Sequence, residues 1–332
     1  MICAGVIGLG VGERHILGYQ ADPRCKVVKI CDSDSQKLLE VGDRFKDVKR
    51  VSNAGEIIGD PSIDVVSIAS YDQFHGDQVV EAVQAGKHVF VEKPLCLNRR
   101  ELEAISGALL ANPRVKLSSN FILRKVNRFV DLRRRIQSGR FGDIYYLEGD
   151  YDYGRLTKIL SGWRSKAEGY CVMHGGGTHL IDLICWLVGE KPAEVFGYGN
   201  KIVTNKSRFE ANDFSVALLK FRSGIVAKIS ANFGSVTPHH HKVCVYGSEC
   251  TFEQSHSGAH YLNSRNSPVG IEQLFDAYPG VEKGDMLPDF LDSILAIGPS
   301  SVSCQDVLDV MSISLSIEDS IRERRAVEVV YY

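Results

Sequence analysis

The sequence predicts an α/β protein in two parts: an N-terminal doubly wound parallel sheet, then a C-terminal α/β domain with an open, mostly antiparallel sheet. Three observations carry this. Short apolar runs alternate with helical patterns over the first third of the chain, and near Asn120 the pattern changes to successive strands joined by short turns. The length of 332 residues is also about twice that of a usual domain, which excludes a single small core. The expected division is residues 1–119 and 120–332.

Ile2 to Ile7 is a continuous apolar run, as expected of a parallel strand covered on both faces. Glycines follow, then a helix from Arg14 to Gln20 and a second strand from Lys26 to Cys31. Leu38, Val41 and Phe45 stand at helical spacing between Ser35 and Phe45. Asp64 to Ala69 is a third strand, and a helix from Gly76 to Ala85 leads to the strand His88 to Val91. Asn98 caps a helix reaching Leu110, and Arg114 to Ser118 completes the block. Repeated βα units with short connections imply a parallel sheet, because right-handed crossovers place helices on both faces.

Beyond Asn120, Val126 to Gln137 is an amphipathic helix with Phe129, Leu132 and Ile136 inward, followed by a long alternating strand from Ile144 to Tyr153. A helix from Gly177 to Val188 stops at Gly189. VALLKF, IVAKISANF and KVCVYG then read as strands separated by turns, which indicates an antiparallel sheet. Gly258 to Pro268 reads as a polar loop, and Cys304 to Ile321 as a late helix.

Hydrophobic residues make up 44% and charged residues 24%, values that set aside disorder and low-complexity classes. Thirty-nine basic residues against forty-one acidic ones argue against a broad footprint for nucleic acid or anionic lipid, so the expected partner is small. Nine cysteines without a CxxC pair suggest buried thiols in a reducing cytoplasm rather than disulfides or a zinc site. No run of about 18 apolar residues and no leader pattern is present, which predicts no membrane segment and a cytoplasmic protein.

Three constellations carry chemistry. Gly8, Gly10, Val11 and Gly12 lie between a strand and a helix, where glycines let the backbone turn tightly and approach a pyrophosphate. Glu13 stands where the usual third glycine would be. Asp32 at the end of the next strand supplies a carboxylate for the adenosine ribose hydroxyls, which favours NAD over NADP. Glu92-Lys93-Pro94 falls at the carboxyl end of a parallel strand, the edge where open α/β sheets bind ligands, and places Lys93 to serve a substrate oxygen. Pro94 is a candidate for a cis peptide bond. The third constellation joins Trp163-Arg164 to a segment from His174 to Asp182, with His179 and Asp182 three apart on one helix face and His179 a candidate acid/base.

The order of these motifs, with His75, Asn120-Phe121-x-x-Arg124 and Gly139-x-x-Gly142, resembles the glucose-fructose oxidoreductase and inositol dehydrogenase (Gfo/Idh/MocA) family over residues 2 to about 252. The resemblance implies a Rossmann domain followed by a substrate and oligomerisation domain. It also implies an NAD(P)-dependent oxidoreductase acting on a sugar, nucleotide sugar or cyclitol, assembled as a homodimer or homotetramer through the C-terminal sheet. By the same resemblance Lys93 touches the reacting hydroxyl, His179 is the motif histidine, and Arg164 lies near the cofactor, with Ser70, His75 and Glu92 as further cofactor contacts. Arg124, His174 and Asp182 are the expected substrate contacts. A weaker likeness to members handling surface-polysaccharide sugars runs from His239 to Phe252.

This chain departs from the family in two places. Gly175 stands where an aspartate often precedes the motif histidine by four residues, and Ser70-Tyr71-Asp72 replaces the common threonine-proline-asparagine. The first departure leaves a nucleotide-binding regulator or sensor as an alternative; a reductase of a non-sugar substrate, such as a tetrapyrrole or dihydrodiol, is another. In Pro238-His239-His240-His241, alternation along a strand puts His239 and His241 on one face, as candidate substrate contacts, and His240 on the other. No carboxylate or cysteine stands at ligand spacing to them, so no metal is expected, and most of the cluster is expected to be a solvated strand edge.

Overall fold

A computed structural model describes residues 1–266 and 269–332 and divides the chain into two compact units. The first is Met1–Ile122 with Val281–Leu308 and Tyr332; the second is Leu123–Gly280 with Asp309–Tyr331. The first unit thus takes in a segment near the C-terminus as well as the N-terminal block.

The first unit alternates β1 (Ile2–Ile7), α1 (Gly12–Gln20), β2 (Cys25–Cys31), α2 (Ser35–Arg44), β3 (Lys49–Val51), α3 (Gly55–Ile58), β4 (Val65–Ile68), α4 (His75–Gln84), β5 (His88–Val91), α5 (Arg99–Ala111) and β6 (Leu117–Ser119). Its strands lie in the order β3-β2-β1-β4-β5-β6, all parallel, which is the doubly wound arrangement the sequence predicts. Val65, Val66 and Ile68 of β4 and Val89, Phe90 and Val91 of β5 are fully buried, so helices cover both faces. Local chemistry sets the helix starts. The Asp34 carboxylate accepts from the Gln36 and Lys37 amides, and Asn98 accepts from the Glu101 amide while Glu101 accepts from the Leu97 amide. β3 and α3, of three and four residues, are too short to show a period in the sequence.

The second unit contains α6 (Asn127–Gln137), β7 (Ile144–Asp152), α7 (Thr157–Leu160), α8 (Thr178–Val188), β8 (Glu194–Asn200), β9 (Phe214–Lys220), β10 (Val226–Asn232), β11 (His240–Gly247), β12 (Thr251–Ser255), β13 (Gly258–Leu262) and β14 (Ile271–Leu274). After α9 (Leu287–Ile294), which belongs to the first unit, come α10 (Cys304–Glu323) and β15 (Val327–Glu328). The strands form one sheet in the order β14-β13-β12-β11-β7-β10-β9-β8-β15, antiparallel throughout except for the parallel pair β7 and β10. Leu180 and Ile184 of α8 pack on this sheet at Gly149, where an added Cβ would meet them at 3.3 Å.

Two expectations are corrected here. The polar stretch from Gly258 to Pro268 is a strand up to Leu262, because Ala259 and Tyr261 alternate inward and pair with β12; positions 267 and 268 lie outside the described residues. The histidine cluster is not mainly a solvated edge. β11 is an interior strand between β7 and β12, and His240 and His241 are buried while His239 is exposed. None of the nine cysteines is in a disulfide, and six of them are buried. Among the described residues no helix is long and apolar enough to cross a membrane, and no metal-ligating cluster is found.

Candidate active site

In the first unit the glycine loop follows β1 directly. Gly8 has φ +84°, and a Cβ there would lie 2.3 Å from the Ala69 carbonyl oxygen, so the loop passes tightly over the end of β4. At Gly10 no atom lies within 4 Å of the Cβ position, leaving the backbone open to a bulky group. α1 begins at Gly12, and its N-terminal amides provide partial positive charge. Asp32 closes the cradle: its Oδ2 accepts from the Leu9 amide at 2.7 Å and its Oδ1 from the Asp34 amide at 2.9 Å. This carboxylate is half-buried and each oxygen keeps a second lone pair, so it can still accept from a diol. The cradle fits a dinucleotide, and a 2′-phosphate would meet fixed negative charge.

β1, β4 and β5 run parallel side by side, so the glycine loop, Ser70 and Glu92-Lys93-Pro94 emerge at one edge of the sheet. The Lys93-Pro94 peptide is cis. His75 is fully buried, with Nδ1 2.7 Å from the Pro94 carbonyl and Nε2 3.1 Å from the Ser70 carbonyl, and the Ser70 hydroxyl donates to Gln78. Glu92 is buried and accepts from Asn120 at 2.7 Å and from His15 at 3.2 Å. Burial alone would raise its pKa, but Lys283, His15 and Asn120 outweigh that and hold the carboxyl well below the usual carboxylate range.

In the second unit, His179 sits in the first turn of α8 with its ring stacked near Tyr151 of β7, centroids 6.2 Å apart. His241 lies opposite Tyr151 in the sheet register, 5.1 Å from it and 6.2 Å from His179, and its Nδ1 is 2.5 Å from the Tyr278 hydroxyl. His239 lies 4.9 Å from His241, whereas His240 packs at a tilt against His256 at 4.2 Å; the expected alternation of faces therefore holds. Phe233 and Tyr153 extend this aromatic surface. Burial holds the Tyr151 phenol protonated far above neutral pH. The Arg164 guanidinium lies over Trp163 at 4.4 Å and Tyr170 at 5.7 Å.

Arg124 and Asp182 are brought together rather than presented separately. The Arg124 Nε lies 3.1 and 3.0 Å from the two Asp182 oxygens, and its Nη2 lies 2.6 Å from Oδ1, with both side chains buried. His174 is also buried, and its Nδ1 is 2.7 Å from the Ser314 hydroxyl of α10. The turn carrying it, Met173–Gly177, is wound as a single π-helical turn before α8. At Gly175 a Cβ would lie 2.0 Å from the Tyr170 hydroxyl, so the tyrosine ring fills the room that an aspartate would need. Tyr151, Tyr170, Phe233 and Tyr278 were not read as site neighbours from the sequence. Only the alternation of Tyr151 and Tyr153 along β7 hinted at a shared aromatic face.

Burial pushes the His174 imidazole down from 6.5 to about 4, with Asp319 opposing weakly. The unfolded chain therefore takes up the proton first as pH falls. This contribution to stability is complete above about pH 6.5 and is lost progressively toward pH 4, amounting to about 3 kcal/mol. Urea unfolding at pH 7 and pH 4.5 should show that loss in the wild type and a smaller one in His174→Gln. Equal losses in both would refute the assignment.

A glycine loop on a helix N-terminus, an acidic residue closing it and a lysine at the same sheet edge define an NAD-binding oxidoreductase. Residues 2–120 match the family described as "Oxidoreductase family, NAD-binding Rossmann fold", and residues 129–253 match the "GFO/IDH/MocA C-terminal domain". The chain belongs to the Gfo/Idh/MocA family. It is 30% identical to scyllo-inositol 2-dehydrogenase (NAD(+)) of Bacillus subtilis over 258 residues, covering 74% of this chain and 71% of the relative. It is 26% identical to myo-inositol 2-dehydrogenase of Thermotoga maritima over 350 residues, covering 98% of each. Levoglucosan dehydrogenase, solved in complex with NADH and levoglucosan, has a similar fold at TM-score 0.88 and 22% identity over 99% of both chains.

Proposed function

We propose that the protein interconverts an alcohol and a carbonyl on a sugar, nucleotide sugar or cyclitol, with Lys93 and His179 managing the hydroxyl proton. The observation that carries this reading is the emergence of Lys93 and the glycine loop at one edge of the parallel sheet. Relatives named for inositols and levoglucosan support the substrate class. NAD, when bound, supplies the two-electron acceptor, and the chain's own groups do the rest. Asp32 holds the ribose. The Lys93 ammonium donates a hydrogen bond to the substrate oxygen, and the imidazole of His179 takes or returns the proton.

Arg124 is committed to Asp182, so the phosphates of a nucleotide sugar would be met by His239 and His241 rather than by Arg124. We assign oligomerisation as a homodimer or homotetramer to the C-terminal sheet, testable by light scattering on the full chain.

Asp32→Ala should weaken NAD binding about tenfold and relax discrimination against NADP, since two hydrogen bonds from the ribose and one fixed charge are removed. Equilibrium binding of both dinucleotides measures this; a wild type preferring NADP would contradict it. Steady-state assays of NAD-linked turnover on myo-inositol, scyllo-inositol, levoglucosan and a nucleotide-sugar panel test the function. Tyr170 filling the room beside Gly175 favours a sensor as the second reading, and NAD binding without turnover on any of these compounds would support it.

A further inference from the structure

Glu92 is a buried group that the reaction above leaves unused. It lies one residue before Lys93 with only 7% of its surface exposed, and a carboxylate in such a place is costly unless fully partnered. Two buried side chains, His15 and Asn120, converge on one of its oxygens. Asn120 donates one amide hydrogen to the Glu92 Oε1 at 2.7 Å and the other to the Lys283 carbonyl at 3.0 Å. His15, fully buried in α1, presents Nε2 to the same oxygen at 3.2 Å and Nδ1 to the Ser67 hydroxyl at 3.1 Å. The Tyr19 hydroxyl in turn lies 3.3 Å from that of Ser67. His15 thus links the Glu92 carboxylate through Ser67 to Tyr19 in one run of buried hydrogen-bonding groups.

The backbone around Lys93 is held as well. The Glu92 amide donates to the Ile68 carbonyl at 2.8 Å, and the Pro94 carbonyl faces His75 at 2.7 Å. The residues on both sides of Lys93 are thus anchored.

We infer that His15 and Asn120 are positioning residues for Lys93, acting through the Glu92 carboxylate they hold. The inference rests on the reading of Lys93 as the group that serves the substrate hydroxyl. A lysine side chain is long and flexible, and a fixed attachment point narrows where its ammonium reaches.

The test is competitive acetylation of the full-length protein by limiting acetic anhydride across a pH series. The rate at Lys93 is read against exposed Lys46 by mass spectrometry of peptides. His15→Phe and Asn120→Leu should change the Lys93 rate relative to Lys46 by about threefold or more and alter its pH profile, as expected when a supporting shell is lost. His15→Gln, which keeps a donor toward Glu92, should restore the wild-type profile. Should His15→Phe fail to fold, Ser67→Ala breaks the same chain one bond further out and should move Lys93 in the same direction. An unchanged Lys93 profile in the folded variants, with only a lowered melting temperature, would show that the cluster braces the fold alone and would overturn the inference. Lys93→Ala with unimpaired turnover would instead overturn the role given to Lys93, leaving the labelling result to stand by itself.

Discussion

Lys93→Ala is expected to lower turnover by about 10²- to 10⁴-fold, the range of a positioned acid or base, while NAD affinity stays within a few fold. The reason lies in where the residue sits. Lys93 follows β5 at the carboxyl edge of the parallel sheet, whereas the cradle proposed for the dinucleotide is made by the Gly8 to Gly12 loop and Asp32. Removing the ammonium leaves that cradle intact and takes away the hydrogen bond we propose it makes to the substrate oxygen. His179→Ala should produce a loss of similar size, because its ring is held among Tyr151 and His241 with no second imidazole on α8 to replace it. Stopped-flow NADH fluorescence separates binding from the chemical step. Full turnover in both variants would refute the roles assigned to them.

Asp182→Ala is expected to destabilise the second unit by about 3–5 kcal/mol, the cost of breaking a buried ion pair by removing one partner. Arg124 would keep its guanidinium buried, 5.8 Å from the Trp186 ring, with three short contacts to carboxylate oxygens gone. Arg124→Ala should cost a similar amount by taking the guanidinium away from the fully buried Asp182. Replacing both by apolar residues of similar volume should recover much of the loss, since neither charge is then stranded. Urea unfolding measures all three. A loss below about 1 kcal/mol in the single variants would place the pair in the exposed, weak class of ion pairs. Because Asp182 lies one turn after His179 on α8, the pair also ties the helix carrying His179 to the turn Ile122–Lys125.

Much of the first unit is legible in the sequence because its signals are local. The apolar runs of β1, β4 and β5 follow from burial on both faces, and Asn98 announces α5 through capping chemistry contained within four residues. Gly8, Asp32 and Lys93 are legible for the same reason: each stands at a strand end, and strand ends of a parallel sheet share an edge. Residues whose partners come from distant segments were not legible. Arg124 and Asp182 are 58 positions apart, Asn120 and Lys283 are 163 apart, and His174 and Ser314 are 140 apart. No spacing rule connects such pairs. A carboxylate or imidazole in isolation reads as a substrate contact, although its hydrogen-bonding capacity is already taken up within the fold.

The sequence by itself determined the two-part architecture, the dinucleotide cradle and the edge on which Lys93 appears, because strand periodicity, helix caps and glycine turns act over a few residues. Only the tertiary structure decided which polar groups are spent on one another. It turned His174 toward α10, set Tyr170 beside Gly175 and buried Glu92 between His15 and Asn120. The physical reason is that a polar group removed from water must be partnered, and which partner it meets depends on how the chain packs, not on its neighbours along the chain.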